Sequence, residues 1–132
     1  MSASEGSAVR VRGLHHLALR VRDVRAAARF YADTFGMRIV WEPDARNVYL
    51  SSGTDNLALH EDAEAESGGA LDHLGFLVDR ADEVYAAAQA LRARGVPIAR
   101  EPAVHRDGSV SCYCRDPDGN LVQVLWLPGT GE

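Results

Sequence analysis

The chain has 132 residues, 46% of them hydrophobic and 25% charged, which is typical of one globular domain with its own core. Its formal net charge is −5 and it carries no Lys/Arg-rich run, so nucleic acid is not expected as a partner. No apolar stretch approaches the roughly 20 residues that a membrane helix needs. Residues 1–12 lack the apolar core of a signal peptide and predict a flexible tail. We therefore expect a cytoplasmic protein that does not associate with membranes.

The first predicted unit spans residues 13–61. Residues 14–21 alternate in hydrophobicity and predict a strand. Asp23 is a favourable N-cap for a helix with apolar residues at helical spacing, which Gly36 ends. Turn sequences then separate three short predicted strands, at 37–42, 46–51 and 56–61. The order of this unit is βαβββ.

Residues 62–70 are acidic, small and glycine-containing, and predict a linker. The second unit, residues 71–127, repeats the order of the first. Asp79 or Asp82 is expected to cap its helix, and Gly95 to end it. Its strands are predicted at 71–78, 96–101, 109–115 and 120–127.

The two units share a repeat in which His16 and His73 occupy the same position. Gly36 likewise corresponds to Gly95, and Tyr49 to Tyr113. Two βαβββ units predict an α+β fold of one domain, residues 13–127, in which two sheets form a partly closed eight-stranded barrel with the helices outside. The units pair within the chain or across a homodimer, and we expect a homodimer because exposed sheet edges benefit from being covered.

The two cysteines, Cys112 and Cys114, lie two apart on a predicted strand, where a disulfide between them would be badly strained. The alternatives are a soft-metal site and a pair of small core residues. No CxxC spacing or third cysteine is present in the sequence, which favours reduced core thiols.

Three motifs carry a resemblance to a known family: His16-Leu17-Ala18-Leu19, His73-Leu74-Gly75-Phe76 and Asp116-Pro117-Asp118-Gly119-Asn120. In this order, over nearly the whole chain, they resemble the vicinal-oxygen-chelate superfamily. That superfamily includes glyoxalase I, extradiol dioxygenases, fosfomycin-modifying thiol transferases and bleomycin-resistance binding proteins. The resemblance implies a cavity between the two sheets that binds a small molecule, and it leaves the chemistry open because one fold hosts many reactions.

The resemblance also implies a divalent metal (Fe, Mn, Zn or Ni) on His16, His73 and Gln123. Gln123 stands where the family usually has a Glu, and an amide oxygen brings no compensating charge to the ion. Counting along the repeat places the equivalent position of the first unit at Leu59, which cannot bind a metal. Glu61 is expected on the same face of its strand as Leu59 and is the candidate that could serve as a metal ligand in its place. His60 is expected on the opposite face.

Further candidates surround the implied cavity. Glu61 and Tyr113 are the candidate catalytic residues. By resemblance to the fosfomycin-modifying members, Ser111 and Tyr113 are expected to point at the ligand. Substrate contacts are also expected from Tyr49, the repeat partner of Tyr113, and from Trp41 and His105. The alternative for each of these residues is a purely structural role, in the core or at the surface.

Two functions remain open at this point. The leading prediction is a metal-dependent lyase or dioxygenase that acts on a small oxygen-bearing substrate. The other is a non-catalytic protein that sequesters a small molecule such as an antibiotic, without a metal. A thiol transferase acting on a phosphonate is a weaker third, because the sequence alone does not place an arginine near the cavity.

Overall fold

The computed structural model describes residues 6–10 and 12–129. Of the predicted N-terminal tail, residues 1–5 and Val11 lie outside the described residues. In the part that is described, no helix has the length and apolarity that crossing a membrane requires. The elements are β1 (Leu17–Val21), α1 (Val24–Phe35), β2 (Arg38–Asp44), β3 (Asn47–Ser51), β4 (Leu57–Glu61), β5 (Leu74–Leu77), α2 (Asp82–Ala93), β6 (Ile98–Val104), β7 (Val110–Arg115) and β8 (Leu121–Trp126).

The α+β fold with two βαβββ units is confirmed. The first sheet has the strand order β1-β4-β3-β2 and the second has β5-β8-β7-β6. In both sheets the first strand pairs with the last in parallel, and the other neighbours are antiparallel. The eight described strands form these two four-stranded sheets and not one closed barrel. β6 lies at an edge, as Pro97 predicted.

The two helices begin differently. The Asp23 side chain accepts hydrogen bonds from the backbone N–H groups of Arg25 and Ala26, both at 3.1 Å, so the predicted N-cap of α1 is confirmed. The prediction for α2 was wrong, because its N-cap is Ala81. There Glu83 reaches back instead, and its carboxylate accepts hydrogen bonds from two backbone N–H groups that precede the helix.

The larger of two apolar clusters joins the two units. Helix α1 and the first sheet pack together with side chains of the second unit, among them Leu91, Cys114 and Val122. Phe35 of α1 stacks on Phe76 of β5, with ring centroids 4.3 Å apart. Buried side chains such as Leu91 and Val122 contribute about 1.5–3 kcal/mol each, so the contact between units is a substantial part of the fold's stability.

The two cysteines are buried and free, which confirms the core interpretation. Burial raises the pKa of the Cys114 thiol to about 12, and it also raises the pKa of Cys112. Both thiols are therefore protonated at neutral pH and serve as small apolar side chains.

The turn before β8 ties the units together with polar contacts. Gly119 N–H donates to Asp116 C=O at 2.9 Å, as the predicted type I turn requires. The buried Asp116 carboxylate accepts a hydrogen bond from the Tyr31 hydroxyl at 2.7 Å, and Asp118 accepts one from Arg22 N–H at 2.8 Å. This turn therefore holds helix α1 of the first unit against the second sheet.

Candidate ligand-binding site

Each sheet has one face that packs on its helix and one face that turns away from it. In β7 and β8 the residues Cys112 and Val124 pack with α2, so the alternation of the strand turns Tyr113 and Gln123 the other way. In the first sheet Tyr49 turns away from α1 in the same manner, since its neighbours Val48 and Leu50 lie in the core. We call this second face the open face of each sheet.

Tyr113 lies at the centre of the open face of the second sheet. Gln123 Nε2 donates a hydrogen bond to the Tyr113 hydroxyl at 3.0 Å. The His73 ring meets the Tyr113 ring edge-on at 5.5 Å, and the Arg100 guanidinium lies over the same ring at 5.5 Å from its centroid. Three of the residues that the sequence singled out, His73, Tyr113 and Gln123, are thus brought together here.

Two atoms of this group remain available to a ligand. His73 Nδ1 donates to Asp72 Oδ2 at 2.7 Å, because a carboxylate can only accept, and in the neutral imidazole this makes Nε2 the acceptor. Gln123 Oε1 lies over Gly75, only 3.2 Å from the point where a Cβ would stand. A side chain at position 75 would displace the amide, so the glycine allows Gln123 to lie flat on the sheet.

A shallow pocket of about 420 Å³ continues this face toward the β6–β7 hairpin. Its lining includes His105, Arg106, Tyr113 and Gln123. His105 Nε2 is 2.7 Å from Ser111 Oγ, and Ser111 is only 1% exposed. His105 therefore covers Ser111, and a ligand in this pocket reaches the imidazole before it reaches the hydroxyl.

The open face of the first sheet is aromatic. The Trp41 and Tyr49 rings lie 4.9 Å apart, and His60 meets Tyr49 edge-on at 5.9 Å. His60 Nδ1 is 2.6 Å from Asn47 Oδ1, whose amide nitrogen donates to Asp44. Trp41 is 59% exposed, so it is not a core tryptophan.

The register of the strands corrects one prediction. Tyr113 pairs with Gln123, and its repeat partner Tyr49 pairs with Ala58. The counterpart of Gln123 is therefore Ala58 and not Leu59, which is fully buried in the core. Glu61 shares the parity of Leu59, so it does not lie on the open face.

The neighbours of Glu61 confirm this placement. It lies with Asp44, Ala45, Arg46 and Asn47 around a small surface pocket, at the end of β4. The structure does not bring it together with Tyr113 or Gln123. His60, not Glu61, is the residue of β4 that shares the face of Ala58.

His16 lies in a different environment from His73. Its Nδ1 atom is 3.0 Å from His15 Nδ1, and the side chain lines a larger cavity of about 770 Å³. This cavity runs between the units and is lined mainly by apolar residues such as Phe35 and Phe76. Among the described residues, no group of three or more His, Cys, Asp or Glu is arranged to hold a metal ion.

Comparison with known proteins assigns the family. The family model of the Glyoxalase/Bleomycin resistance protein/Dioxygenase superfamily matches residues 13–124. The chain belongs to this superfamily. A solved lactoylglutathione lyase from Agrobacterium tumefaciens superposes with a TM-score of 0.74 at 28% identity, covering 88% of this chain and 94% of that chain.

The curated proteins that resemble this chain are named for different activities. Lactoylglutathione lyase of Haemophilus influenzae is 28% identical over 123 residues, covering 83% of this chain and 89% of that protein. Metapyrocatechase 2 of Cupriavidus necator is 31% identical over 120 residues, but this chain spans only 35% of its length. The fosfomycin resistance protein FosX of Listeria monocytogenes has a TM-score of 0.75 at 18% identity, with coverage of 88% and 93%, which is a likeness of fold alone.

Sequence reasoning missed three residues of the open faces. Ala58 was hidden because the second hairpin has one more residue between its paired strands, 115–121 against 51–56. His60 was interpreted as a residue at the surface end of a strand. Arg100 had a signal, because the spacing from Gly36 to Gly95 is also the spacing from Trp41 to Arg100.

Proposed function

We propose that the protein binds a small organic molecule on the open face of its second sheet. The observation that carries this proposal is the cluster around Tyr113, where His73 Nε2 and Gln123 Oε1 are both available beside an aromatic ring. An apolar surface with a few convergent polar groups is the usual composition of a small-molecule site. The superfamily to which the chain belongs supports the same conclusion.

A second copy of the chain is the proposed cover of this face. Within one chain the units pack through their helices and core, and side chains of both open faces, such as Trp41 and Arg100, remain exposed. All seven residues of β2 are exposed, Trp41 among them, and Leu77 of β5 is 57% exposed. Exposed apolar side chains on edge strands mark an interaction surface. Light scattering should therefore give a mass near twice the 14.3 kDa of one chain.

The donor atoms of the open faces favour binding without a metal. A divalent ion here would have an imidazole from His73, an amide oxygen from Gln123, and at most one more imidazole from His16 of another copy. None of these carries a negative charge, and the position equivalent to Gln123 is occupied by Ala58. A neutral donor set compensates a divalent charge poorly, and hard cations prefer carboxylate oxygens. We therefore propose sequestration of an organic ligand as the leading function.

A metal-dependent lyase or dioxygenase is the second candidate, and the Asp72–His73 hydrogen bond favours it. A carboxylate on Nδ1 is the usual partner of a metal-binding histidine, because it directs Nε2 toward the ion. His16 and His73 also keep equivalent positions in the two units. In this case a bound ion would polarise adjacent oxygens of the substrate. The names of the curated relatives support this candidate as a class.

Gln123→Glu tests both candidates, because it adds a carboxylate with nearly the same reach. Calorimetric titrations of both variants should use Zn²⁺, Mn²⁺, Fe²⁺ and Ni²⁺, and then S-lactoylglutathione, fosfomycin and bleomycin. If the site is an organic-ligand site, neither variant binds metal appreciably. Ligand affinity of Gln123→Glu then falls by about tenfold, because a poorly solvated carboxylate costs about 1–3 kcal/mol.

Leu59→Met is the matched control, since it changes the residue that parity places in the core and should leave metal and ligand binding unchanged. Micromolar metal binding by the native protein, further tightened in Gln123→Glu, would contradict sequestration and establish the metal site. Activity toward S-lactoylglutathione that follows metal loading would identify the lyase.

A further inference from the structure

The two units carry different side chains at one equivalent position of their open faces. In the first sheet Trp41 pairs with Tyr49, and in the second Arg100 pairs with Tyr113. The strand register shifts on both sides of each of these positions, so the local geometry is the same in both units. Each side chain lies against the tyrosine of its pair, Trp41 at 4.9 Å and Arg100 at 5.5 Å between centres. One unit thus presents a flat apolar ring where the other presents a cation.

The charge of Arg100 is not neutralised by a carboxylate of the described chain. The described ion pairs use other arginines, and the adjacent Glu101 pairs with Arg92. The one described contact of the Arg100 side chain is the face of the Tyr113 ring. A guanidinium held over an aromatic ring keeps its N–H donors at its edge, where they remain free to bind an acceptor.

Two carboxylates close to the cluster have hydrogen-bond partners other than Arg100. Asp72 accepts from His73, and Asp107 accepts from the backbone N–H of Ser109. Asp107 lines the adjoining pocket together with Arg106 and His105. Among the described residues, Arg100 is therefore a cation of this face that forms no ion pair.

We infer that the ligand of this site is an aromatic carboxylate. Its acid group binds the guanidinium of Arg100, since carboxylate and guanidinium form paired, charge-assisted hydrogen bonds. Its ring lies against Trp41 and Tyr49 of the second copy, which supply an aromatic surface without charge. This inference rests on the proposed function, and it names the class of molecule that the site selects.

The test compares 2-naphthoate with 2-naphthamide, which have the same shape and differ in charge. Binding is followed by calorimetry and by ¹H–¹⁵N spectra, in which the Trp41 indole N–H and the Tyr113 amide report the location. The variants are Arg100→Gln, Trp41→Ala and the control Arg29→Gln, which removes the same charge from an exposed position of α1. All three positions are exposed, so the fold should be retained, as the spectra will show.

The native protein should bind the acid more tightly than the amide, and added salt should weaken the acid alone. Arg100→Gln should weaken the acid by about ten- to a hundredfold and the amide by less than about twofold. Trp41→Ala should weaken both by a similar factor of about three to ten. Arg29→Gln should change neither by more than about twofold.

Two results would overturn the inference, and they are distinguishable. Equal affinity for acid and amide in the native protein, or equal loss in Arg100→Gln and Arg29→Gln, would show that the site binds an organic molecule without selecting an anion. Binding of neither compound, with no change at Trp41 or Tyr113, would contradict the proposed organic-ligand site as well.

Discussion

The two units of this chain follow one plan and differ in where they place polar groups. The two units have the same strand order, the same parallel pairing of first and last strands, and the same alternation of core-facing residues. The turns that precede their last strands, β4 and β8, differ. Asp55 in the turn of the first unit is exposed and accepts hydrogen bonds only from Ser51 and Ser52. Asp116 in the second unit is buried and accepts four.

This difference shows how a repeated unit acquires a new role without a change of fold. The described hydrogen bonds of the Asp55 carboxylate stay within the exposed turn, with Ser51 and Ser52. The buried turn uses the same kind of residue to reach Tyr31 of the other unit. A carboxylate that is buried and fully hydrogen-bonded is costly to disturb, whereas an exposed one is replaced by water.

Replacing the two carboxylates separately should give the largest contrast. Asp116→Ala leaves the Tyr31 hydroxyl, two backbone N–H groups and the Asn120 amide without their acceptor, and should lower the free energy of unfolding by about 4 kcal/mol. Asp55→Ala should cost about 1 kcal/mol. Urea denaturation measures both. Similar losses in the two variants would show that the turns are energetically equivalent after all.

Alkaline pH should act on the contact between the units. Burial, together with the charge and hydrogen bond of Asp116, raises the pKa of Tyr31 far above its ordinary value. Stability from a group with a raised pKa is complete below the unfolded pKa of about 10 and is lost as the pH rises above it. Tyr31→Phe should cost about 1–2 kcal/mol at neutral pH, and should reduce the further loss between about pH 9 and 11.5. The same alkaline slope in both proteins would exclude Tyr31 as its source.

The helix starts should give the smallest contrast. Asp23→Ala removes the side chain that caps α1 and should cost about 1 kcal/mol. Ala81→Asp should change stability by less than about 0.5 kcal/mol. Ala81 has helical backbone angles, and Glu83 already accepts from the N–H groups that precede α2. Thermal unfolding of the two variants provides the comparison. A clear gain from Ala81→Asp would show that α2 lacks a functioning cap.

The sequence predicted the features that depend on local periodicity. Strand alternation and helical spacing identified every element, and Asp23, Gly36 and the turn at 116–119 were recognised by their chemistry. The features that depend on the register between paired strands were not predictable in this way. The second hairpin has one extra residue, so the residue of the first unit that is equivalent to Gln123 is Ala58 and not Leu59. The faces of β4 expected for Glu61 and His60 are reversed for the same reason.

The candidate site shows the same division. His73, Tyr113 and Gln123 were predicted, and they are together in the structure. Arg100 was not assigned, although the spacing that relates Gly36 to Gly95 also relates Trp41 to Arg100. That spacing does not show that the guanidinium lies over the Tyr113 ring, as it does in the structure.

The parallel pairing of first and last strands has a consequence for synthesis on the ribosome. Leu17 lies beside Leu57, 40 positions later in the chain, and β1 has no other described partner in its sheet. Until β4 has been synthesised, β1 and α1 belong to an incomplete unit. At a translation rate of about 5–20 residues per second, this interval lasts several seconds. Long-range parallel pairs also close slowly. The nascent first unit therefore spends that interval with β1 unpaired, although β2 and β3 can already pair with each other, and this is the stage at which a chaperone would be most effective.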